Sequence, residues 1–302
     1  IAVSCDTIWY RIAFDEWLRD GGLKPKSGAN DYFYNAAKGF QIGVKSGIDL
    51  PSESSGRLAD REWRKAWYAQ NKDFYCNYKM RAPKSQQTAF LVQLAYENCL
   101  DGDKIRAGDA VNFSIGQGDT VITPLKQAQM YAAIANGGTI WKPTVAKAIV
   151  KTDGTVIKTF GKEKLGTIPA DKATLKFLHS ALREVVISGT GAGVFSGFPI
   201  AISGKTGTAE VFGRNPNGSK KANTSWFASY GPSENPRFAV VMMVSQGGFG
   251  ASTSGVGVRK IYETLLGVQG SKVVSAKILF PSGIPPVALP KISPATKVKG
   301  AK

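Results

Sequence analysis

The spacing of apolar positions changes about half-way along the chain. Between Cys5 and Trp17 they recur at Trp9, Ile12, Ala13 and Trp17, the three-and-four spacing of an amphipathic helix, and Gly21-Gly22 ends the pattern. Ser4-Cys5-Asp6 therefore sits at a helix start. The stretch from Pro25 to Asn98 is aromatic, basic and rich in turn residues, with Gly47-Ile48-Asp49-Leu50-Pro51 as a compact loop and a helix predicted around Gln86 to Asn98. Thr123-Pro124 reads as an N-cap with proline at the first helical position. Leu125, Ala128, Tyr131, Ala132 and Ala135 form the predicted inner face of that helix, and Asn136-Gly137-Gly138 stops it.

From Pro143 the period becomes that of strands. Pro143 to Val150 and Thr155 to Phe160 flank Asp153-Gly154 and predict a hairpin. Asp171 caps a predicted helix whose face carries Leu175, Leu178, Leu182, Val185 and Val186. Three strands are predicted at Pro199 to Phe212, Thr224 to Tyr230 and Arg237 to Ser245, and Val256 to Leu266 closes the fold as a helix. After Gly267 the Pro, Lys and Ser content suits an extended, poorly packed tail. These elements divide the chain into a mainly helical part (1–138), a sheet-containing part (139–267) and a tail (268–302).

Composition narrows the function classes. The chain of 302 residues is 43% hydrophobic and 20% charged, ordinary globular usage that excludes disorder, collagen and coiled coil. No apolar run approaches the roughly 20 residues of a membrane span. The net charge of +17 raises nucleic acid or an anionic surface as partners. Its scatter over several loops, without an RNA or DNA motif, argues against nucleic acid. One histidine, His179, and three cysteines without Cys-x-x-Cys spacing give no zinc ligand set, so no metal is expected. Cys76 and Cys99 could bridge in an extracytoplasmic setting, but an odd cysteine total leaves the pairing open. His179 reads as a packing or solvated residue, Trp226 as core or cleft wall, and the loop Gly213 to Asn223 as a solvated hairpin tip beside the candidate strand.

The strongest chemical signal is Ser203-Gly204-Lys205-Thr206-Gly207-Thr208-Ala209-Glu210 on a predicted strand. A strand with a glycine lets a peptide backbone lie alongside it, and Lys205 supplies a cation. Thr206 and Thr208 offer hydroxyls to a terminal carboxylate, while the Thr208 amide can help hold an oxyanion. The bland alternative is an ordinary strand end. Ser4-Cys5-Asp6 places a hydroxyl and a carboxylate on an exposed helix end, with a plain N-cap as its alternative. In penicillin-recognising serine acyltransferases a Ser-x-x-Lys is followed by Ser-x-Asn and then Lys-Thr-Gly. The order and the separation of the two signals here suit the second and third of these.

With Gly47-Ile48-Asp49-Leu50-Pro51, Asn112-Phe113-Ser114-Ile115-Gly116-Gln117-Gly118, Thr123-Pro124-Leu125, Ser188-Gly189-Thr190-Gly191, Ser225-Trp226-Phe227 and Asn235-Pro236-Arg237 in the family's order, the chain resembles the C-terminal part of a class B penicillin-binding protein transpeptidase domain, of penicillin-binding protein 2 type and actinobacterial-like. The resemblance implies an α+β penicillin-recognising serine transferase fold, truncated at the N-terminus: an antiparallel sheet flanked by helices, plus a mainly helical subdomain, with the cleft between. It implies a D,D-transpeptidase at the extracytoplasmic face of the cell membrane that cross-links peptidoglycan stem peptides through an acyl-serine and is inhibited by β-lactams. Ser4, Asp6 and Lys205 would be catalytic, and Thr206, Gly207 and Thr208 substrate-binding. No cofactor is implied, and a membrane-embedded glycan polymerase is the implied protein partner. Rival readings are a serine β-lactamase or carboxypeptidase, a non-catalytic β-lactam sensor, and a basic surface-binding protein.

Two departures from the family stand out. No Ser-x-x-Lys occurs in the 302 residues, so the family's order places the nucleophile upstream of Ile1 and this chain is expected to be inactive alone. Asp6 stands where the family usually has asparagine. An ionised carboxylate accepts hydrogen bonds but donates none, and an ion pair with Lys205 or with the lysine of the first motif is one way to hold it.

Overall fold

The computed structural model describes residues 1–281. Helices come first: α1 (Asp6–Arg19), α2 (Tyr32–Gly39), α3 (Arg61–Cys76), α4 (Tyr78–Arg81), α5 (Ala89–Asp101), α6 (Ala107–Ser114) and α7 (Pro124–Ala135). Two short antiparallel pairs follow, β1 (Thr139–Trp141) with β4 (Lys164–Thr167) and β2 (Ala148–Val150) with β3 (Val156–Thr159). Then come α8 (Lys172–Ile187), α9 (Ala192–Phe195), β5 (Ser203–Ala209), β6 (Thr224–Gly231), β7 (Phe238–Val244), α10 (Val256–Leu265), β8 (Leu266–Gln269) and β9 (Lys272–Ile278).

Caps set the helix boundaries where the sequence predicts them. Thr123 Oγ1 accepts the Lys126 amide at 3.1 Å to open α7, and Asp171 accepts the Thr174 amide at 2.7 Å to open α8. At the end of α7 the Gly138 amide reaches the Ala133 carbonyl at 2.8 Å, with φ of +108° that only glycine adopts without strain.

The central sheet is antiparallel in the order β5-β6-β7. Neighbouring β6 residues face opposite sides. Phe227 packs with Val186, Phe195, Val258 and Tyr262, whereas Ala228 and Tyr230 pack with Tyr131, Ile134 and Leu182. Helices α8, α9 and α10 thus cover one face and α7, with α8, the other. Burial of a large apolar side chain is worth about 1.5–3 kcal/mol, so these two layers, not strand propensity, fix the sheet.

Three sequence readings are altered or resolved. The buried residues of α7 are Lys126, Gln129, Tyr131, Ala133 and Ile134, while Leu125, Ala128, Ala132 and Ala135 are half-buried. Lys126, only 1% exposed, donates to Gln129 Oε1 at 2.6 Å, and Gln129 Nε2 donates to the Ser46 and Trp141 carbonyls at 3.3 and 2.9 Å. Partners supplied from far along the chain let polar groups turn inward. Burial lowers the Lys126 pKa, against the opposing charge of Glu53. Second, the chain after Gly267 forms the hairpin β8–β9, with Gly270 at φ +62° in its turn and Leu266 and Val268 in the core. The remainder of the predicted tail, 282–302, lies outside the described residues. Third, Cys76 and Cys99 are disulfide-bonded, tying the end of α3 to α5, while Cys5 is free.

Candidate active site

Among the described residues β5 is hydrogen-bonded along one side only, by β6, so its other edge is open to a cleft. Such an edge is a template for another extended chain. Its backbone cannot shift easily. A Cβ on Gly204 would lie 2.7 Å from the Ala228 carbonyl oxygen, and one on Gly207 would lie 3.0 Å from Trp226 Cβ. Gly250, from the turn before α10, approaches so closely that its own Cβ would fall 2.5 Å from the Gly207 carbonyl oxygen. Packing therefore demands glycine at 250 and leaves little room for a side chain at 207. Behind the strand, Ser225 Oγ donates to the Phe249 carbonyl at 3.0 Å, and Thr208 Oγ1 accepts the Gly250 amide at 3.2 Å.

The facing wall is the start of α1. Cys5 is its N-cap residue and makes no side-chain cap bond, so neither Ser4 nor Asp6 serves as the simple cap. Ser4 instead has φ of +53°, an uncommon conformation for a residue with a Cβ. It is held by its amide donating to the Ile1 carbonyl at 3.2 Å and by Lys205.

Lys205 Nζ donates to Ser4 Oγ at 2.9 Å and to the Thr206 carbonyl at 3.0 Å. Two segments 201 residues apart thus meet at one proton-carrying contact. Desolvation lowers the Lys205 pKa, and the nearby Asp6 charge opposes that shift. Asp6 occupies the first turn of α1, where the helix dipole favours an anion. No ion pair with Lys205 is formed: the Asp6 carboxylate enters no salt bridge among the described residues, and a first-motif lysine lies outside the 302 residues.

Ser4, Asp6, Lys205, Thr206, Gly207 and Thr208 all line one cleft of about 540 Å³. A second cavity of about 430 Å³ shares Lys205 to Thr208 and runs on past Gln117, Tyr131 and Trp226, making Trp226 a cleft wall. His179 is elsewhere, its Nδ1 2.6 Å from the Tyr230 hydroxyl. The loop Gly213 to Asn223 makes its own tight turn, with the Asn215 amide donating to the Ser219 carbonyl at 2.9 Å. Sequence reasoning passed over two groups. Thr190, between α8 and α9, has its Oγ1 2.6 Å from Thr206 Oγ1, and Gly250 packs against the Gly207 backbone and lines the same cleft. The sequence places Thr190 in the Ser188-Gly189-Thr190-Gly191 stretch of the family resemblance but gives its hydroxyl no role.

A cleft built on an edge strand with Lys-Thr-Gly, joined by its lysine to the serine of Ser-x-Asp, is the arrangement of a family. Residues 1–264 match the penicillin-binding protein transpeptidase domain. The chain belongs to that family. It is 25% identical over 282 residues to the peptidoglycan D,D-transpeptidase MrdA of Haemophilus influenzae, an alignment covering 88% of this chain and 35% of that protein. With penicillin-binding protein 2A of Bacillus subtilis the identity is 28% over 237 residues, covering 76% of this chain and 27% of the relative. The chain therefore spans about a third or less of the length of these curated relatives. Among solved structures, a chain of a peptidoglycan synthase complex that coordinates polymerization and crosslinking matches with a TM-score of 0.60 at 26% identity, over 91% of this chain and 38% of that one. The penicillin-binding protein 2 of Pseudomonas aeruginosa in complex with WCK 5153 matches with a TM-score of 0.58 at 23% identity, over 90% of this chain and 49% of that one, and supports the same α+β transpeptidase fold.

Proposed function

We propose that these residues form the substrate-binding and proton-relay half of a peptidoglycan D,D-transpeptidase site, completed by a Ser-x-x-Lys outside the 302. The observation that carries the reading is the 2.9 Å hydrogen bond from Lys205 Nζ to Ser4 Oγ in a cleft bordered by an open strand edge. A serine from the first motif, its proton passing to that motif's lysine, attacks the penultimate D-Ala carbonyl of a stem peptide, and the C–N bond to the terminal D-Ala breaks. The departing amine takes a proton through Ser4, which Lys205 resupplies. Burial that lowers the Lys205 pKa makes that proton easier to give. The Lys205 charge attracts the substrate's terminal carboxylate, Thr206 and Thr208 hydrogen-bond to it, and the Thr208 amide helps hold the oxyanion. Gly207 keeps the edge clear. Asp6 adds a negative charge that favours protonated Lys205. An amine of a neighbouring stem then displaces the serine.

On this reading β-lactams acylate the same serine, and the protein works at the extracytoplasmic face of the membrane. No helix among the described residues is long and apolar enough to cross a membrane, so an anchor would be separate from them. A glycan polymerase is the proposed partner, supported by the similarity to a chain of a complex that couples polymerization to crosslinking. The actinobacterial affinity is supported by 33% identity over 147 residues, 47% of this chain, to the peptidoglycan D,D-transpeptidase PbpA of Mycolicibacterium smegmatis. The test is labelling by fluorescent penicillin. The 302-residue chain stays unlabelled, whereas a longer protein that includes the Ser-x-x-Lys carries label through denaturation. Label on the short chain, or none on the long one, overturns the proposal.

A further inference from the structure

Thr190 lies in neither of the sequence signatures that mark the cleft, yet it touches both walls. Its mount is firm: the Gly189 amide donates to the Glu184 carbonyl at 3.1 Å, the Gly191 amide donates to the Val185 carbonyl at 2.9 Å, and Val185 and Val186 bury the last turns of α8 in the core. From there the Thr190 amide donates to the Ala2 carbonyl at 3.1 Å, steadying the segment that carries Ser4. Gly189 admits that segment, because a Cβ there would lie 2.2 Å from the Ala2 carbonyl oxygen. On the other side Thr190 Oγ1 is 2.6 Å from Thr206 Oγ1, and both residues line the cleft.

A hydroxyl has one proton to donate and can also accept. When an anion enters the cleft, Thr206 can give its proton to that anion only if the bond to Thr190 runs the other way, with Thr190 donating. The pair then forms a chain in which each bond polarises the next. We infer that Thr190 is a positioning residue for carboxylate recognition: by donating to Thr206 it aims the Thr206 O–H at a ligand carboxylate drawn in by Lys205. Thr208 has a different support, since its hydroxyl accepts from the Gly250 amide. The inference rests on reading the cleft as a transpeptidase substrate site.

The test uses the longer protein that carries the Ser-x-x-Lys and compares acylation rates for a penicillin with its carboxylate free and for the methyl ester of the same compound. The parent prefers the free acid. Thr190→Val, which keeps the amide bond to Ala2, lowers the rate for the free acid about tenfold, the effect of weakening one hydrogen bond to a charged group, and leaves the ester rate alone. Thr190→Ser restores the preference. An equal fall for acid and ester assigns Thr190 a merely structural role and overturns the inference, as does no change in either rate, or a parent indifferent to esterification. A parent acylated by neither compound removes the transpeptidase reading and this inference with it.

Discussion

The two walls of the cleft are built by opposite means. On the β5 side the backbone is fixed from the side and from behind. Every residue from Ser203 to Ala209 is in register with β6, and Gly204 and Gly207 sit where a larger residue would strike the neighbouring strand or its side chains. On the α1 side Ser4 has a left-handed backbone at an uncapped helix start, and its segment is held by hydrogen bonds donated by Lys205 and Thr190 and by one from the Ser4 amide to the Ile1 carbonyl. On the proposed reading, the contrast teaches that the groups meeting an extended ligand are set by the fold, whereas the hydroxyl moving a proton is set by its partners.

Lys205 spans both walls, and its removal has the largest expected effect. On the proposed reading, Lys205→Ala in a longer protein that includes the Ser-x-x-Lys lowers the acylation rate by about 10²–10³, the range for losing one preorganised electrostatic donor. Unchanged kinetics would separate Lys205 from the chemistry. Gly204→Ala tests the rigid wall, with an expected loss of about 3 kcal/mol from overpacking against the β6 backbone. Urea unfolding of the 302-residue chain measures it, and a midpoint equal to the parent's would show that the wall yields. Asp6→Asn tests the open wall: its unfolding free energy stays within about 0.5 kcal/mol, as for an exposed substitution. Its signature is in the pH profile. Lys205 is held below the ordinary lysine range by burial and pulled back up by the Asp6 charge. Removing that charge lets the Lys205 pKa fall further, so the basic limb of the acylation profile moves to lower pH. Profiles that superimpose on the basic side would mean that the Asp6 charge does not reach Lys205.

Local signals in the sequence anticipated much of this fold. Thr123-Pro124 and Asp171 announce helix starts through a side-chain acceptor that needs no distant partner, and the three strands of the central sheet show themselves by composition and flanking turns. The inner face of α7 was hidden because the partners of Lys126 and Gln129 come from Ser46, Glu53 and Trp141, which no local period can see. The hairpin after Gly267 was hidden because β9 is mostly exposed and its polar residues resemble those of a loose tail. In the cleft, residues with a recognisable motif could be named in advance. Thr190, though inside a family stretch, and Gly250 could be given no role in advance, since their importance lies in what folding brings beside them.

Exposure gives the Cys76–Cys99 bond a practical meaning. It spans 23 residues and ties down α5, a helix in which Ala95 is the sole buried residue while Phe90, Tyr96 and Leu100 stand in solvent. Closing a loop of that size withholds about 3 kcal/mol of chain entropy from the unfolded ensemble. In a thiol-containing buffer that restraint vanishes, and the loss falls on the flank around α5 before it reaches β6, whose two faces are both packed. A preparation handled under reductant would keep its cleft while its flank frays and self-associates through those apolar side chains.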